Sequence, residues 1–132
     1  MEVLLINPPR LNEIMGNNPS IVEEERGYNP PLGLLYIAAF MERHTRHDVS
    51  VIDSQVDKLD YSSLQAKITS IQPDVVGITA MTMTMVDVIN TANIVKQTNN
   101  IIKVVLGGPH VNLFPDETIK LKNVDYLVLG EG

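Results

Sequence analysis

The chain has 132 residues, 44% hydrophobic, 20% charged and 5% aromatic, the makeup of a single soluble globular domain rather than a disordered tail. Ten Lys+Arg against sixteen Asp+Glu give a formal charge of -6, which argues against a nucleic-acid groove or an anionic membrane surface, since both reward positive charge. No Cys occurs, so disulfides, zinc–thiolate sites, thiol nucleophiles and iron–sulfur ligation are excluded within these residues.

Val3 to Ile6 is the first of five short runs rich in Val, Ile and Leu without polar alternation, the pattern of strands buried on both faces of a parallel sheet. Pro30-Pro31 opens a helix from about Gly33 to His44; its stretch Leu34 to Met41 is apolar nearly all round and is expected to be well covered. That stretch is also the longest apolar run, far short of the ~20 residues that span a bilayer, so no membrane insertion is expected. After the strand Val49 to Ile52, a helix from about Tyr61 to Ile71 carries Leu64, Ile68 and Ile71 on one face, and Gln72-Pro73-Asp74 stops it. The strand Val75 to Thr79 leads to a helix from about Val86 to Thr98, with Val86, Ile89, Ala92 (or Asn93) and Val95 at helical spacing. Lys103 to Leu106 is the fourth strand, Pro115-Asp116-Glu117 opens a short helix with acids where the dipole favours them, and Tyr126 to Leu129 is the fifth strand. Met1 to Asn7 lacks the basic start and apolar stretch of a signal peptide, and a cytoplasmic location is expected.

Strands alternating with helices give right-handed crossovers and an α/β, flavodoxin-like (Rossmann-like) three-layer sandwich. The expected sheet is five-stranded and parallel, of order 2-1-3-4-5, with no repeat or linker across 1–132. The sequence stops at Gly130-Glu131-Gly132, where such a fold is expected to continue, so the final helix is expected to be missing. Ligands of these sheets bind beyond the carboxyl ends of the strands, which makes the loops there the candidate site.

The first loop begins Asn7-Pro8-Pro9-Arg10, where a dinucleotide fingerprint, a P-loop or a flavodoxin-type phosphate cradle would need Gly, Ser or Thr. Receiver-domain chemistry needs acids after strand one, an Asp ending strand three and a Lys ending strand five; Asn7, Thr79 and Gly130 stand there instead. From Arg10 to Asn29 the loop is about twenty residues against the roughly 2–6 usual in α/β units. Its Glu23-Glu24-Glu25-Arg26 run reads either as a solvated face or as a lid over the strand ends. Strand three runs into Thr79-Ala80-Met81-Thr82-Met83-Thr84-Met85, whose hydroxyls can bond a ligand and whose Met side chains suit either a large planar ligand or the core. Gly107-Gly108 ends strand four, which fits either a tight turn at positive φ or close approach of a bulky ligand. His44 and His47 lie at the opposite edge and read as surface residues. His110 is on the ligand side but has no Cys, His or acid at metal-ligand spacing, and no Ser/His/Asp arrangement suggests catalysis.

Asn7-Pro8-Pro9, Pro31-Leu32-Gly33-Leu34-Leu35-Tyr36-Ile37-Ala38-Ala39, Val105-Leu106-Gly107-Gly108-Pro109-His110 and Asp125-Tyr126-Leu127-Val128-Leu129-Gly130-Glu131-Gly132 fall in order at the strand ends. With these blocks the chain resembles the N-terminal cobalamin (B12)-binding domain of B12-dependent radical SAM enzymes. The resemblance implies a corrinoid cofactor whose nucleotide tail enters the sheet past small residues, with Ser/Thr after strand three and Gly-Gly after strand four. On that basis Thr79, Met81, Thr82, Gly107 and Gly108 are implied cofactor-binding residues, with Asn7, Pro8, Pro109, His110, Gly130 and Glu131 at the matching loops. The Asp-x-His-x-x-Gly pattern of better-known cobalamin domains is absent, since no His precedes His44, and base-off binding without a protein ligand below cobalt is implied. S-adenosylmethionine and a [4Fe-4S] cluster are expected only in a following Cys-x-x-x-Cys-x-x-Cys barrel of the same chain, and no catalysis is expected of this domain alone. Methyl transfer and oxidative cyclisation both stay open for the intact enzyme. The alternatives are a degenerate cobalamin fold that docks on the barrel without cofactor, and a free-standing small-molecule sensor.

Overall fold

The computed structural model describes residues 1–14, 16 and 27–131. The acidic run at 23–26 and Gly132 lie outside the described residues. In chain order the elements are β1 (Glu2–Asn7), α1 (Leu32–His44), β2 (Asp48–Asp53), α2 (Tyr61–Ile71), β3 (Val75–Thr79), a 3-10 turn (Thr82–Thr84), α3 (Met85–Thr98), β4 (Lys103–Gly107), α4 (Pro109–Leu113), α5 (Pro115–Thr118) and β5 (Tyr126–Val128). The sheet is parallel throughout with order β2-β1-β3-β4-β5, as the alternation of strand and helix patterns requires. The 3-10 turn and α4 are additions that the hydrophobic pattern does not announce, because both are too short to repeat a period.

Local chemistry sets the boundaries. Asp60 caps α2 by accepting the Ser63 N–H at 2.7 Å, and Gln72 ends it in the left-handed region at φ 53°. Pro73 follows and cannot continue the helix.

The two faces of the sheet differ. On one, Leu4, Ile6, Val76, Ile78, Val104 and Leu106 pack with Leu64 and Ile68 of α2 and Val88, Ala92 and Val95 of α3 into one closed core. On the other, α1 covers chiefly β1 and β2, with Leu34 and Ala38 set on Val3 and Leu5 and with Val75 at the start of β3 packed against the same cluster. The alternate residues of β3 and β4, Val75, Gly77, Thr79, Val105 and Gly107, are half-buried, while Val128 of β5 is exposed. Burial on both faces, expected from the continuous apolar runs, therefore holds for β1 but not for β3 to β5 among the described residues. The expectation that α1 is well covered is also corrected. One helix on one face of a sheet can bury only one stripe, so Leu32, Leu35, Tyr36 and Phe40 are exposed, Tyr36 at 76% and Phe40 at 63%.

A charged clasp closes the amino end of β4. Lys96 Nζ donates to Asp125 Oδ2 at 2.6 Å and to the Ile102 carbonyl at 2.7 Å, and Asp125 Oδ2 also accepts the Val104 N–H at 2.8 Å. Burial pushes the Asp125 carboxyl up, but the Lys96 and Val104 hydrogen bonds and the Lys96 and Lys103 charges outweigh it and hold it below the usual carboxylate range. A depressed folded value means that the unfolded chain binds the proton more readily. The stabilisation is then complete above an unfolded pKa of about 3.9 and is lost as pH falls through the lower folded value. Urea titrations between pH 6 and 3 are expected to show stability falling with acid, and Asp125→Asn should both lower the neutral plateau and flatten that slope.

Candidate functional site

The uncovered side of the sheet forms a groove of about 480 Å³, running from Met1 and Met41 to the carboxyl ends of β3, β4 and β5. Its floor follows from strand register. Leu5 pairs with Gly77 and Gly77 with Val105; one step further on, Thr79 pairs with Gly107 and Gly107 with Val128. Side chains paired in this way point to one face. One wall is α1, whose Gly33, Ile37 and Met41 recur at four-residue spacing; the far end holds Pro109, Asn112, Gly130 and Glu131. The lining is mainly apolar with a few polar groups at one end, the usual makeup of a small-molecule site. Thr79 Oγ1 is one of these groups, and it has no hydrogen-bond partner among the described residues.

The glycines separate into two kinds. Gly108 is required by the backbone: its φ is +109°, and a Cβ there would stand 2.9 Å from the Ala80 carbonyl oxygen and 3.3 Å from Thr79 Oγ1. Gly77 makes room for Leu5, whose Cδ2 would lie 2.8 Å from an added Cβ. Gly107 has neither constraint, since its nearest neighbours are Val128 atoms at 3.8 Å, in ordinary contact. What a side chain at Gly107 would take up is space in the groove. The Gly-Gly pair is thus a turn requirement at its second residue and an open floor at its first.

The carboxyl edges of β3 and β4 are joined by backbone. Ala80 donates its N–H to the Gly107 carbonyl at 2.7 Å and accepts the His110 N–H at 3.1 Å. Asn112 Oδ1 in α4 accepts the Gly130 N–H at 2.8 Å and so holds the turn after β5. Of the residues expected at the site, Thr79, Gly107, Gly108, Pro109, Gly130 and Glu131 line the groove. Met81, Thr82 and His110 stand outside it on the adjoining edge, with Thr82 Oγ1 3.1 Å from His110 Nδ1 and the His110 ring 5.1 Å from that of Phe114. Asn7 and Pro8 are elsewhere. Asn7 Nδ2 donates to Asp53 Oδ1 at 2.9 Å, while Gln55 Nε2 reaches Asn7 Oδ1 and the Pro8 carbonyl, both at 3.2 Å. These bonds tie β1 to the loop after β2. No grouping of three or more His, Cys, Asp or Glu able to hold a metal occurs among the described residues.

Sequence reading misses the α1 wall and a polar cluster beside the edge. Asp87, fully buried in the first turn of α3, accepts from Asn12 N at 2.9 Å, from Asn12 Nδ2 at 3.1 Å and from the Tyr61 hydroxyl. Tyr61 in turn accepts from Asn12 Nδ2 at 2.8 Å and Asn90 Nδ2 at 2.9 Å. Burial, then the hydrogen bond to Asp87, pushes the Tyr61 phenol up, so it stays a donor at neutral pH. The one sequence signal for the α1 wall is Gly33 directly before the apolar run Leu34 to Met41. For the polar cluster there was none, because its members are 26 and 75 residues apart.

An open parallel sheet with an apolar groove at the carboxyl ends of its strands defines a small-molecule-binding domain of the doubly wound class. The chain belongs to the B12 binding domain family, whose model matches residues 20–132. Over its whole length it is 36% identical to an uncharacterized methyltransferase of Pyrococcus horikoshii, of which it covers 27%. It is 32% identical, again over its whole length, to the anaerobic magnesium-protoporphyrin IX monomethyl ester cyclase of Rubrivivax gelatinosus, of which it covers 22%. The chain spans about a quarter of the length of these relatives. No described helix is long and apolar enough to cross a membrane.

The two glycines are expected to respond differently to the same change. Gly108→Ala should cost about 2 kcal/mol or more, from left-handed strain and the clash with Ala80. Gly107→Ala should stay within about 1 kcal/mol of wild type. Urea midpoints at unchanged m-value check both.

Proposed function

We propose that this chain is the cobalamin-binding module of a B12-dependent radical SAM enzyme, binding the cofactor base-off with no histidine of its own below cobalt. The observation that carries the reading is Gly107. The fold has no need of a glycine there, and its missing side chain keeps open a groove that ends at the unpartnered hydroxyl of Thr79. Those residues fit a ligand with an apolar or aromatic portion and a polar end. Val105 and Val128 offer the apolar floor, Ile37 and Met41 the wall, and Thr79, Asn112 and Glu131 the polar end. Met81, Thr82 and His110 sit at the rim, suited to the part of a large cofactor that stays outside the groove. Asn7 and Pro8 act on this reading at a distance, by fixing the exit of β1.

The base-off reading is supported by the loop after β1, in which no His precedes His44. It is supported also by His110, whose ring is engaged by Thr82 and Phe114 outside the groove. Cobalamin would supply a carrier for a methyl group or a partner in electron transfer, while S-adenosylmethionine and the [4Fe-4S] cluster would belong to a C-terminal radical SAM barrel. Membership of the B12 binding domain family and the greater length of the relatives support this division of labour. A second reading, a docking module without cofactor, draws on the same uncovered sheet and on the exposed Tyr36 and Phe40.

Purified protein mixed with hydroxocobalamin is expected to retain the corrinoid through gel filtration with a base-off absorption spectrum. A stable protein that gives no spectral change at high cobalamin overturns the reading in favour of docking. Gly107→Leu should weaken binding by at least about tenfold, or about 1.4 kcal/mol, at an unchanged melting temperature.

A further inference from the structure

Residues 10–14 leave the end of β1 toward α3, on the closed side of the sheet, and are fastened there. The Asn12 N–H and side-chain amide both donate to the buried Asp87 carboxylate, and the Ile14 N–H donates to the Met83 carbonyl at 2.9 Å. Asp87 suits this task because its three partners are all donors, while a carboxylate is an acceptor only. Its place in the first turn of α3 lets the helix dipole favour the charge. Burying a carboxylate is nonetheless a costly way to hold a loop. The apolar side chains of the loop are not what it buries: Leu11 is 54% exposed and Ile14 69%. Met81, Met83 and Val86, on the neighbouring stretch before and at the start of α3, are exposed as well. An ordered segment that displays apolar side chains instead of burying them is what a preorganised binding edge requires.

We propose that Asp87, assisted by Tyr61, is a positioning residue that acts through Asn12 to set Leu11 and Ile14 beside Met81, Met83 and Val86 as one apolar platform on the ligand-facing edge. The platform takes the apolar flank of the large cofactor, outside the groove. This assignment rests on the corrinoid reading above. Tyr61 contributes by completing the carboxylate's shell and by receiving Asn90, which couples α2 and α3 to the same loop.

Hydrogen exchange and hydroxocobalamin titration on the 132-residue chain test the assignment. In Asp87→Asn the Asn12 and Ile14 amides should exchange at least about tenfold faster than in wild type, and the corrinoid Kd should rise about five- to tenfold. Tyr61→Phe, which keeps the ring, should move both in the same direction by less, and decides the matter if Asp87→Asn fails to fold. Ile68→Val, which trims the closed core under the second half of α2 and touches neither the groove nor the Asp87 cluster, serves as the stability control and should leave the Kd within twofold. Unchanged exchange at Asn12 and Ile14 overturns the latch whatever the cofactor does. Faster exchange with an unchanged Kd overturns the positioning role alone, as does an Ile68→Val variant that weakens binding as much. Wild-type protein that binds no hydroxocobalamin overturns the corrinoid reading, and the positioning role with it.

Discussion

The carboxyl edge of this sheet depends on one backbone approach, that of Gly108 to Ala80. Adjacent parallel strands deliver their loops side by side, and here the two loops bond directly, Ala80 to the Gly107 carbonyl and His110 to the Ala80 carbonyl. The approach leaves no space for a Cβ at residue 108 and demands a positive φ there. That conformation turns the chain into Pro109, whose fixed φ suits the first turn of a helix. The five-residue α4 so formed carries Asn112, which holds the Gly130 turn and with it the far end of the groove. Remove the glycine, and α4, Asn112 and the turn after β5 all lose their placement.

The second determinant is the asymmetry of the sheet. The closed face, where Leu4, Val76, Val104 and Leu106 are fully buried against α2 and α3, supplies the main hydrophobic stabilisation. That arrangement leaves the other face of β4 and β5, and of β3 beyond Val75, largely free of structural duty among the described residues. Small residues at Gly77 and Gly107 then deepen a trough beside α1 without weakening the main core. A sheet that needed both faces for stability would have no place for such a groove. The Lys96–Asp125 clasp belongs to the same scheme, holding β5 to the edge of β4 by charge where β5, three residues long, has little ladder of its own.

Most of the architecture was legible because it rests on long periodic runs. The five apolar stretches and the three longer helices have enough residues to declare their period, and βαβ handedness then leaves few sheet orders open. α4 was not legible, since Pro109–Leu113 is shorter than two turns. The exposure of Tyr36 and Phe40 is not legible for a different reason. An apolar helix reads as covered, but whether it is covered depends on what lies next to it, which no local pattern contains. Gly107 and Gly108 show the limit most sharply. As letters they are equivalent, and only the Ala80 backbone tells the one that the turn requires from the one that leaves space. The Asp87 cluster was invisible because Asn12, Tyr61 and Asp87 are brought together by tertiary packing alone.

These parts favour a particular manner of ligand binding. A site that holds its ligand through a coordinating imidazole can tolerate a loose pocket, because one strong bond fixes the position. Here the end of β1 carries Asn7, and its amide is spent on Asp53 and Gln55 in joining two strands. On the proposed reading without a coordinating histidine, position comes from shape, from an apolar trough of defined floor and wall and from loops held by their own hydrogen bonds. Preorganisation is the requirement this places on the rest of the molecule, because every loop left mobile would add an ordering cost to binding. The buried Asp87, the Asn112 tie to Gly130 and the Ala80–Gly108 contact each remove such freedom from a different loop around the same edge. On that reading, rigidity distributed over three loops takes the place that a single coordinating side chain has in a looser site.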